Sequence, residues 1–316
     1  MKKPIRIYAL PKKFLQGFKG RVQPLADMRQ YTSWRIGGRA DWLLEPADKQ
    51  QVLKVMDFAA ANSVPLTLIG RGSNLLVSDN GIAGIVMRIG KALGGWQRLD
   101  GNRVRAGAGE LLAALSRATA AAGLSGLEWA CGIPGNLGGA LAMNAGAYGS
   151  EMSAVVTEVE VAAYTEPKAK KAVLRTLSGK DLAFGGYRSG CVGGGTVALS
   201  AVLQLAEGDS EAMLAGIKKT IARRAENQPL EYPSAGSVFR NPDGAHAGYL
   251  IEKAGLKGLR CGDAEVSLKH GNFIVNRGAA TAADVLRLIA KVQKKVLAQS
   301  GYRLQCEVRL LGRDLA

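Results

Sequence analysis

Residues 66–78 most restrict how this chain can fold, because they place two short apolar runs on either side of a glycine-containing turn. The runs are Leu66–Ile69 and Leu75–Val77, and the turn is Gly70-Arg71-Gly72-Ser73-Asn74. Glycine has no Cβ, so its backbone can adopt positive φ and a ligand can approach it closely. Consecutive amides in such a turn can form an anion-binding nest, to which Arg71 adds charge. Taken alone, the segment is equally consistent with two interpretations, a diphosphate-binding loop and a strand-turn-strand without a ligand.

The turn matches neither of the common nucleotide-binding fingerprints. Gly-x-Gly-x-x-Gly requires a third glycine at position 75, where this chain has Leu75, and the P-loop requires a lysine that does not follow. If this turn binds phosphate, it does so in another fold.

Glycine is abundant in other parts of the chain as well. It accounts for 41 of the 316 residues, about twice the usual proportion. The glycines are clustered rather than periodic, which excludes a collagen-like or low-complexity chain. The densest cluster covers residues 132–149, where small side chains allow backbone and ligand to lie close together. Residues 129–150 lack charge, but their glycines and Pro134 make them a poor membrane span.

The chain carries a formal net charge of +16, which favours anionic partners such as nucleotides. Part of this charge lies in residues 1–21, which contain no acidic side chain, and we expect them to form a solvated basic tail. No basic stripe interleaved with aromatic residues is present, so we expect no nucleic-acid partner.

The four cysteines are far apart and include no C-x-x-C pair, and the chain has two histidines. This pattern predicts reduced thiols and no metal site. Lys12 and Lys13 interrupt any apolar signal sequence. We therefore expect a cytoplasmic protein, and we expect it to be a monomer.

Hydrophobic periodicity predicts an α+β chain without internal repeats. Five helices are predicted. The first follows Asp48, which pairs with Gln51 as a cap, and the last extends from Thr281 to Gly301. The other three cover residues 110–122, 211–227 (capped by Ser210) and 247–254. Predicted strands cover residues 40–45, 66–69, 84–89, 103–106, 155–164, 172–177, 196–205 and 305–311, with one or two more in 265–275. We place domain boundaries near residues 90 and 206, which gives segments 1–90, 91–205 and 206–316.

Eight short segments, spread from about Thr32 to Leu311, resemble those of the UDP-N-acetylenolpyruvoylglucosamine reductase family in the family's order. They are Arg35-Ile-Gly-Gly38, Gly70-Arg-Gly-Ser-Asn-Leu75, Gly132-Ile-Pro-Gly135, Met143-Asn-Ala-Gly-Ala-Tyr-Gly149, Tyr187-Arg188, Gly236-Ser-Val-Phe-Arg-Asn-Pro242, His270-Gly-Asn-Phe-Ile-Val-Asn276 and Glu307-Val308. Each segment is weak alone, whereas eight in order form a specific signal. The longer subtype's mobile tyrosine loop has no counterpart, so the chain resembles the shorter subtype.

The resemblance implies an α+β fold with a two-lobed FAD-binding domain of the vanillyl-alcohol-oxidase/PCMH type and a C-terminal α+β substrate-binding domain. The lobes would be residues 1–90 and 91–205, and the substrate domain 206–316. The resemblance also implies noncovalent FAD. The implied cofactor-binding residues are Thr32, Gly37, Arg71, Gly72, Ser73, Asn74, Leu75, Gly132, Ile133, Pro134, Gly135, Gly139, Asn144, Ala145 and Gly146.

The family's reaction reduces the enolpyruvyl group of a UDP-sugar in peptidoglycan precursor synthesis, with NADPH as co-substrate. A hydride passes from flavin N5 to C3 of the substrate, and negative charge develops toward its carboxylate. The resemblance assigns the stabilisation of that charge to Arg188 and Glu307 and the proton delivered to C2 to Ser237. It further implies substrate contacts for Tyr187, Arg240 and Asn241. We expect His270 to be a structural hydrogen-bonding residue.

The chain departs from the family pattern at one position. The family usually has Tyr-Arg-x-Ser, whereas Arg188 is followed here by Ser189 and Gly190. Two alternatives to the family's reaction remain. One is another FAD-dependent oxidoreductase with the same type of flavin domain, and the other is a non-catalytic basic nucleotide-binding protein.

Overall fold

The computed structural model describes residues 7–166, 168–185 and 189–314. The chain divides into two compact units. Unit 1 contains the chain through Pro24, Trp42–Arg71 and Gly84–Ala222, and unit 2 contains Leu25–Asp41, Gly72–Ala83 and the chain from Arg223 onward. Unit 2 thus takes two segments from the region predicted as the first lobe. The three-part division of the chain stays a prediction.

The five predicted helices are all present, together with two short helices that the sequence pattern did not predict. In chain order the helices are α1 (Lys12–Gln16), α2 (Lys49–Ala61), α3 (Leu112–Ala121), α4 (Leu137–Met143), α5 (Ser210–Asn227), α6 (Ala247–Lys253) and α7 (Ala282–Ser300). The unpredicted helices, α1 and α4, are too short to show clear periodicity. No helix in the described part of the chain has both the length and the apolar character that crossing a membrane requires.

The strands are short and belong to several sheets. In chain order they are β1 (Gly20–Asp27), β2 (Arg39–Pro46), β3 (Leu66–Ile69), β4 (Leu75–Val77), β5 (Ile82–Arg88), β6 (Trp96–Arg98), β7 (Arg103–Gly107), β8 (Leu124–Ser125), β9 (Gly146–Ala147), β10 (Ser150–Glu151), β11 (Val156–Tyr164), β12 (Ala172–Ser178), β13 (Val197–Gln204), β14 (Ala206–Glu207), β15 (Ser234–Ser237), β16 (Arg260–Cys261), β17 (Ala264–Val266), β18 (Phe273–Asn276) and β19 (Arg309–Leu311).

Two sheets lie wholly or mainly in unit 1, with strand orders β1-β2-β5-β3 and β12-β11-β13-β7-β6. In unit 2 the order is β15-β18-β17-β16, and β19 pairs in parallel with β4. The two apolar runs of residues 66–78 are therefore strands, as predicted, but they belong to different sheets. Strand β3 pairs in parallel with β5, with Leu66 opposite Ile85.

The N-terminal arm, defined as residues 7–19, packs on unit 1. Its side chains Leu10, Phe14 and Phe18 are buried, and the ring of Phe14 lies 4.2 Å from that of Phe58. Lys12 and Lys13 remain exposed between these anchors. The prediction of a solvated basic tail is therefore wrong for the arm, because apolar residues between its charges are buried against α2.

Two predicted helix caps were also wrong in detail. At α5 the capping carboxylate belongs to Asp209, which accepts hydrogen bonds from the amides of Glu211 (2.9 Å) and Ala212 (3.2 Å), so Ser210 is the first helical residue. At α2 Asp48 accepts from the Gln51 amide as predicted. The Gln51 side chain instead accepts from the amide of Lys19.

Helix α7 of unit 2 has a defined cap at each end. Thr281 and Asp284 form the predicted capping box, and Gly301 ends the helix in the left-handed conformation. The carboxylate of Asp79 accepts from the amides of Ala282 and Ala283, at 2.8 and 3.0 Å. The buried face of α7 packs against β16 and β17 in the apolar core of unit 2.

Candidate active site

Within unit 1, Asn136 links the start of the glycine turn to the segment that follows the second predicted diphosphate loop. Its side chain donates to the Ile89 carbonyl (3.0 Å) and accepts from the Gly139 amide (3.2 Å), which caps α4. A Cβ at Gly70 would lie 2.3 Å from Oδ1 of Asn136. Gly70 therefore touches the residue that follows Gly132–Gly135 in the chain. Sequence reasoning missed Asn136, although an asparagine placed before α4 is a recognisable capping signal.

The rest of the glycine turn, Gly72–Leu75, lies in unit 2. Gly72 has φ +67°, and a Cβ there would lie 2.0 Å from the Tyr31 carbonyl. Its own carbonyl accepts from the Ser33 amide at 3.2 Å, and the Asn74 carbonyl accepts from the Arg309 amide at 2.9 Å.

The carbonyl hydrogen bonds of this turn direct its amides. In a trans peptide the carbonyl and the following amide point in opposite directions. The amides of Ser73 and Leu75 therefore point away from Ser33 and Arg309. The hydrogen bonds of the two carbonyls thus leave these amides on the other side of the turn, and backbone amides are donors that anions can accept from.

Thr32 and Gly37 shape a neighbouring loop of unit 2. The hydroxyl of Thr32 donates to the Ile36 carbonyl at 2.9 Å and accepts from the Ile36 amide at 3.2 Å. A Cβ at Gly37 would lie 2.8 Å from Cβ of Val77. The side chain of Thr32 is thus already used within its own loop, and Gly37 allows that loop to pack against β4.

Residues 144–146 form the exit from α4. Asn144 ends the helix in the left-handed conformation, with φ 43° and ψ 54°, and its Oδ1 accepts from the Ser153 amide at 3.0 Å. Gly146 then begins a hairpin in which β9 pairs with β10. Tyr148 and Gly149, both with positive φ, form its turn. The predicted cofactor residues Asn144, Ala145 and Gly146 therefore form a rigid backbone corner.

Ser237 and Glu307 are carried by neighbouring backbone segments of unit 2. The Glu307 amide donates to the Val238 carbonyl at 2.8 Å, and the side chain of Asn74 donates to the Glu307 carbonyl at 3.1 Å. Both Ser237 and Glu307 are half-buried. The structure thus brings together the backbone segments that carry the predicted proton donor and the predicted carboxylic acid, with one residue of the glycine turn bonded to the second segment.

Arg240 and Asn241 continue the chain from Ser237. The Arg240 amide donates to the Gln305 carbonyl at 2.9 Å. Within the described residues, its buried Nε has no hydrogen-bond partner. Oδ1 of Asn241 accepts from the Ala247 amide at the start of α6, at 3.0 Å. Guanidinium nitrogens form strong hydrogen bonds to anions, and the described residues leave Nε of Arg240 unused, whereas the carboxamide oxygen of Asn241 is used structurally.

The chain is 44% identical over 296 residues to the UDP-N-acetylenolpyruvoylglucosamine reductase of Heliobacterium modesticaldum, which covers 93% of this chain and 92% of the relative. The chain belongs to the UDP-N-acetylenolpyruvoylglucosamine reductase family. A reductase of the same name from Synechococcus sp. (strain JA-3-3Ab) is 43% identical, with the same coverage of both chains.

Domain models and a solved structure agree with this family membership. The model of the FAD binding domain matches residues 40–166, and that of the C-terminal domain of UDP-N-acetylenolpyruvoylglucosamine reductase matches residues 228–311. The crystal structure of the reductase from Thermus caldophilus has a TM-score of 0.77 at 36% identity, covering 93% of this chain and 99% of that one. The predicted family, fold class and FAD cofactor are confirmed.

Two of the predicted site residues, Tyr187 and Arg188, lie outside the described residues. The neighbouring departure from the family pattern at Gly190 has a steric reason. A Cβ at this position would lie 1.7 Å from the carbonyl oxygen of Leu141 in α4. A serine cannot occupy this position without moving helix backbone, so the chain uses glycine where it passes α4.

His270 is a structural hydrogen-bonding residue, as expected. Its Nδ1 accepts from the Asn272 amide at 3.1 Å, and its ring packs edge-on against Phe273, with centroids 4.8 Å apart. Burial, together with the charge of Lys257, lowers the pKa of His270. The imidazole is therefore neutral near pH 7, as an accepting Nδ1 requires.

The cysteines are free thiols in the structure. Burial raises the pKa of Cys191 to about 11 and also raises the pKa of Cys306. Both are therefore protonated at neutral pH and poorly nucleophilic. Among the described residues, no group of three or more metal-binding side chains is assembled.

Proposed function

We propose that this chain is an FAD-dependent reductase that uses NADPH to convert UDP-N-acetylglucosamine enolpyruvate to UDP-N-acetylmuramate. The observation that carries the proposal is the hydrogen bond between the Glu307 amide and the Val238 carbonyl. It places the segments of Ser237 and Glu307 side by side in a chain that also has an FAD-binding domain.

The residues that would hold FAD form two groups. Gly132–Gly135 and the α4 exit at residues 144–146 belong to unit 1 with Arg71, whereas Thr32, Gly37 and Gly72–Leu75 belong to unit 2. When bound, FAD supplies the hydride at its N5 atom. The amides of Ser73 and Leu75, which point away from Ser33 and Arg309, support a diphosphate contact, and Arg71 would add a cation.

Glu307 and Arg188 would stabilise the negative charge that develops toward the substrate carboxylate. A fixed cation and a hydrogen-bonding acid favour this charge more than they favour the neutral alkene, which lowers the barrier. The backbone of Glu307 is held on both sides, by Val238 and by Asn74. These two contacts fix the backbone position from which the side chain of Glu307 extends.

Ser237 would donate the proton that completes the reaction at C2. A serine hydroxyl is a weak acid, so it can act only if it is positioned against a strongly basic, enolate-like carbon. Arg240 and Asn241 would contact the substrate, together with Tyr187. The unpaired Nε of Arg240 supports a phosphate or carboxylate contact.

The remaining assignments complete this proposal. Residues 1–90 and 91–205 would form the two FAD-binding lobes, and residues 206–316 the substrate-binding domain. The enzyme would act as a cytoplasmic monomer, with UDP-sugar and NADPH as its small-molecule partners.

Two measurements on the purified protein test the proposal. A flavin absorbance spectrum, present on purification or after reconstitution with FAD, is expected first. NADPH oxidation that depends on UDP-N-acetylglucosamine enolpyruvate is expected second. A flavin-containing protein without this substrate dependence would support a different FAD-dependent oxidoreductase, and a protein that cannot take up flavin would sink both enzyme assignments.

The role of Ser237 is tested by separating the half-reactions. In Ser237→Ala, NADPH should still reduce the flavin, whereas reoxidation by substrate should slow by on the order of 10²-fold or more. Ser234→Ala removes the same hydroxyl three residues earlier in β15 and should leave both steps nearly unchanged. An equal loss of both half-reactions in Ser237→Ala would contradict the assignment.

A further inference from the structure

The motif His270-Gly-Asn-Phe-Ile-Val-Asn276 has no part in the proposed chemistry. In unit 2 it forms a tight loop followed by β18, which pairs antiparallel with β15. The pairing places Ser234 opposite Val275 and Ser237 opposite Phe273, so β15 contains one extra residue between these pairs. This is a β-bulge, which bends a strand and redirects its side chains.

The bulge ends at the predicted proton donor. Gly236 has φ +75°, a conformation that glycine adopts without strain, and Ser237 follows it directly. Regular ladder pairing between β15 and β18 ends at Ser237. The contacts of residues 238–240 therefore determine how the chain is held immediately after Ser237.

Asn272 supplies that contact. Its backbone carbonyl accepts from the Val238 amide at 2.9 Å. Its side chain accepts from the Phe239 amide at 2.9 Å through Oδ1 and donates to the Phe239 carbonyl at 2.8 Å through Nδ2. A carboxamide here reproduces the donor and acceptor of a missing backbone pair. Asn272 is 4% exposed and Phe239 is 2% exposed, so water cannot readily replace these bonds.

The opposite edge of the same segment faces the predicted carboxylic acid. Phe239 forms a β-bridge with Cys306, and the Glu307 amide donates to the Val238 carbonyl. Residues 237–240 are thus held between Asn272 on one side and residues 305–307 on the other.

We propose that Asn272 is a positioning residue for the proton donor: its side chain binds the backbone of Phe239 and so holds residues 237–240, which carry Ser237, against the backbone of residues 305–307. This inference rests on the proposed function for its chemical meaning and on the hydrogen bonds for its geometry. The ladder between β15 and β18 ends with the pair Ser237–Phe273, and the side chain of Asn272 holds the backbone two residues later, at Phe239.

The physical consequence is specific to one step. Removing the carboxamide leaves the buried amide and carbonyl of Phe239 without partners, which favours local displacement of the strand. A displacement of about 1 Å at a reacting group can slow a reaction by on the order of 10²-fold. Flavin reduction by NADPH does not use Ser237 and should be insensitive to this displacement.

Asn276 provides a matched control. It is the same residue type in the same motif, is 3% exposed, and bonds to the carbonyl of Trp34 and the amides of Gly278 and Ala280. None of these partners belongs to residues 237–240. Asn276→Ala should therefore lose comparable bonding without releasing the Ser237 segment.

The experiment compares wild type, Asn272→Ala and Asn276→Ala by hydrogen exchange and by flavin half-reactions. In Asn272→Ala, peptides containing residues 237–240 should exchange faster, and substrate-dependent flavin reoxidation should slow by on the order of 10²-fold. Flavin reduction by NADPH should change by less than about threefold, well below the effect expected from misplacing a reacting group. Wild-type exchange at residues 237–240, or reoxidation equal to that of Asn276→Ala, would overturn the inference.

Asn272→Asp keeps the test decisive if the alanine variant does not fold. An ionised carboxylate can still accept from the Phe239 amide but cannot donate to its carbonyl, whereas the protonated acid can do both. Reoxidation relative to wild type should therefore recover as the pH falls, and a constant ratio would contradict the inference. The hydrogen-exchange comparison does not depend on the reaction. A protein that lacks the proposed activity would therefore contradict the proposed function, and its exchange rates would still test the Asn272 contact.

Discussion

At the scale of single residues, Gly70 shows how a glycine can be required by a neighbour distant in sequence. The Asn136 side chain is fastened at both ends, to Ile89 and Gly139, and cannot easily move away from an added methyl group. We expect Gly70→Ala to lower the free energy of unfolding by about 1–3 kcal/mol, a typical effect of overpacking. Urea unfolding of the FAD-free protein measures this loss.

Gly216, in the exposed middle of α5, is the matched control. A Cβ there meets no atom within 4 Å. Because alanine favours a helix interior over glycine, Gly216→Ala should stabilise the protein by about 0.5–1 kcal/mol. Equal effects of the two substitutions would show that the contact with Asn136 does not constrain Gly70.

At the scale of elements, α7 makes part of the stability depend on pH. Burial alone would raise the pKa of Asp284, but hydrogen bonds from Thr281 and the charge of Arg287 outweigh burial and lower it below its ordinary value of 3.8. The stabilisation is therefore complete above the ordinary pKa and is lost as the pH falls through the lowered one. The stability difference between wild type and Asp284→Asn should be largest near pH 7 and shrink below about pH 4. Urea unfolding at pH 7 and pH 3 tests this, and a difference that grew in acid would contradict it.

The N-terminal arm is a second element with a testable contribution. Phe14 is buried against Phe58, so Phe14→Ala should cost about 3 kcal/mol, near the lower end of the range for aromatic truncation. Lys13 is exposed on the same short helix, and Lys13→Ala should change stability by less than about 0.5 kcal/mol. Thermal unfolding of both variants distinguishes a packed arm from the solvated tail that its charge suggested.

At the scale of the whole molecule, cofactor binding should stabilise the folded chain. A ligand that binds only the folded state at 100 times its Kd adds about 2.7 kcal/mol. We expect FAD to raise the unfolding temperature of the FAD-free protein, and FMN, which lacks the diphosphate, to raise it much less. Equal stabilisation by FMN would show that the glycine loops do not bind the diphosphate.

The sequence alone determined the family, the α+β class, the cofactor and most helix and strand positions, because these depend on residue type, spacing and local periodicity. It also identified Ser237 and Glu307 as candidates from short motifs. Its errors at Gln51 and Ser210 were local as well, since a competing partner, Lys19 or Asp209, made the hydrogen bond instead.

Only the tertiary structure decided which distant residues share a contact. Two of these contacts are steric: Asn136 crowds Gly70, and Leu141 crowds Gly190. Two are hydrogen bonds, from Asn74 to Glu307 and between Asn272 and Phe239. No sequence period brings these pairs together. Each depends on where separate strands and loops meet, and burial then makes an unpaired or crowded group costly. The sequence thus determined the glycine turn of residues 70–74, and tertiary packing decided that one end touches Asn136 while Asn74 holds the backbone of Glu307.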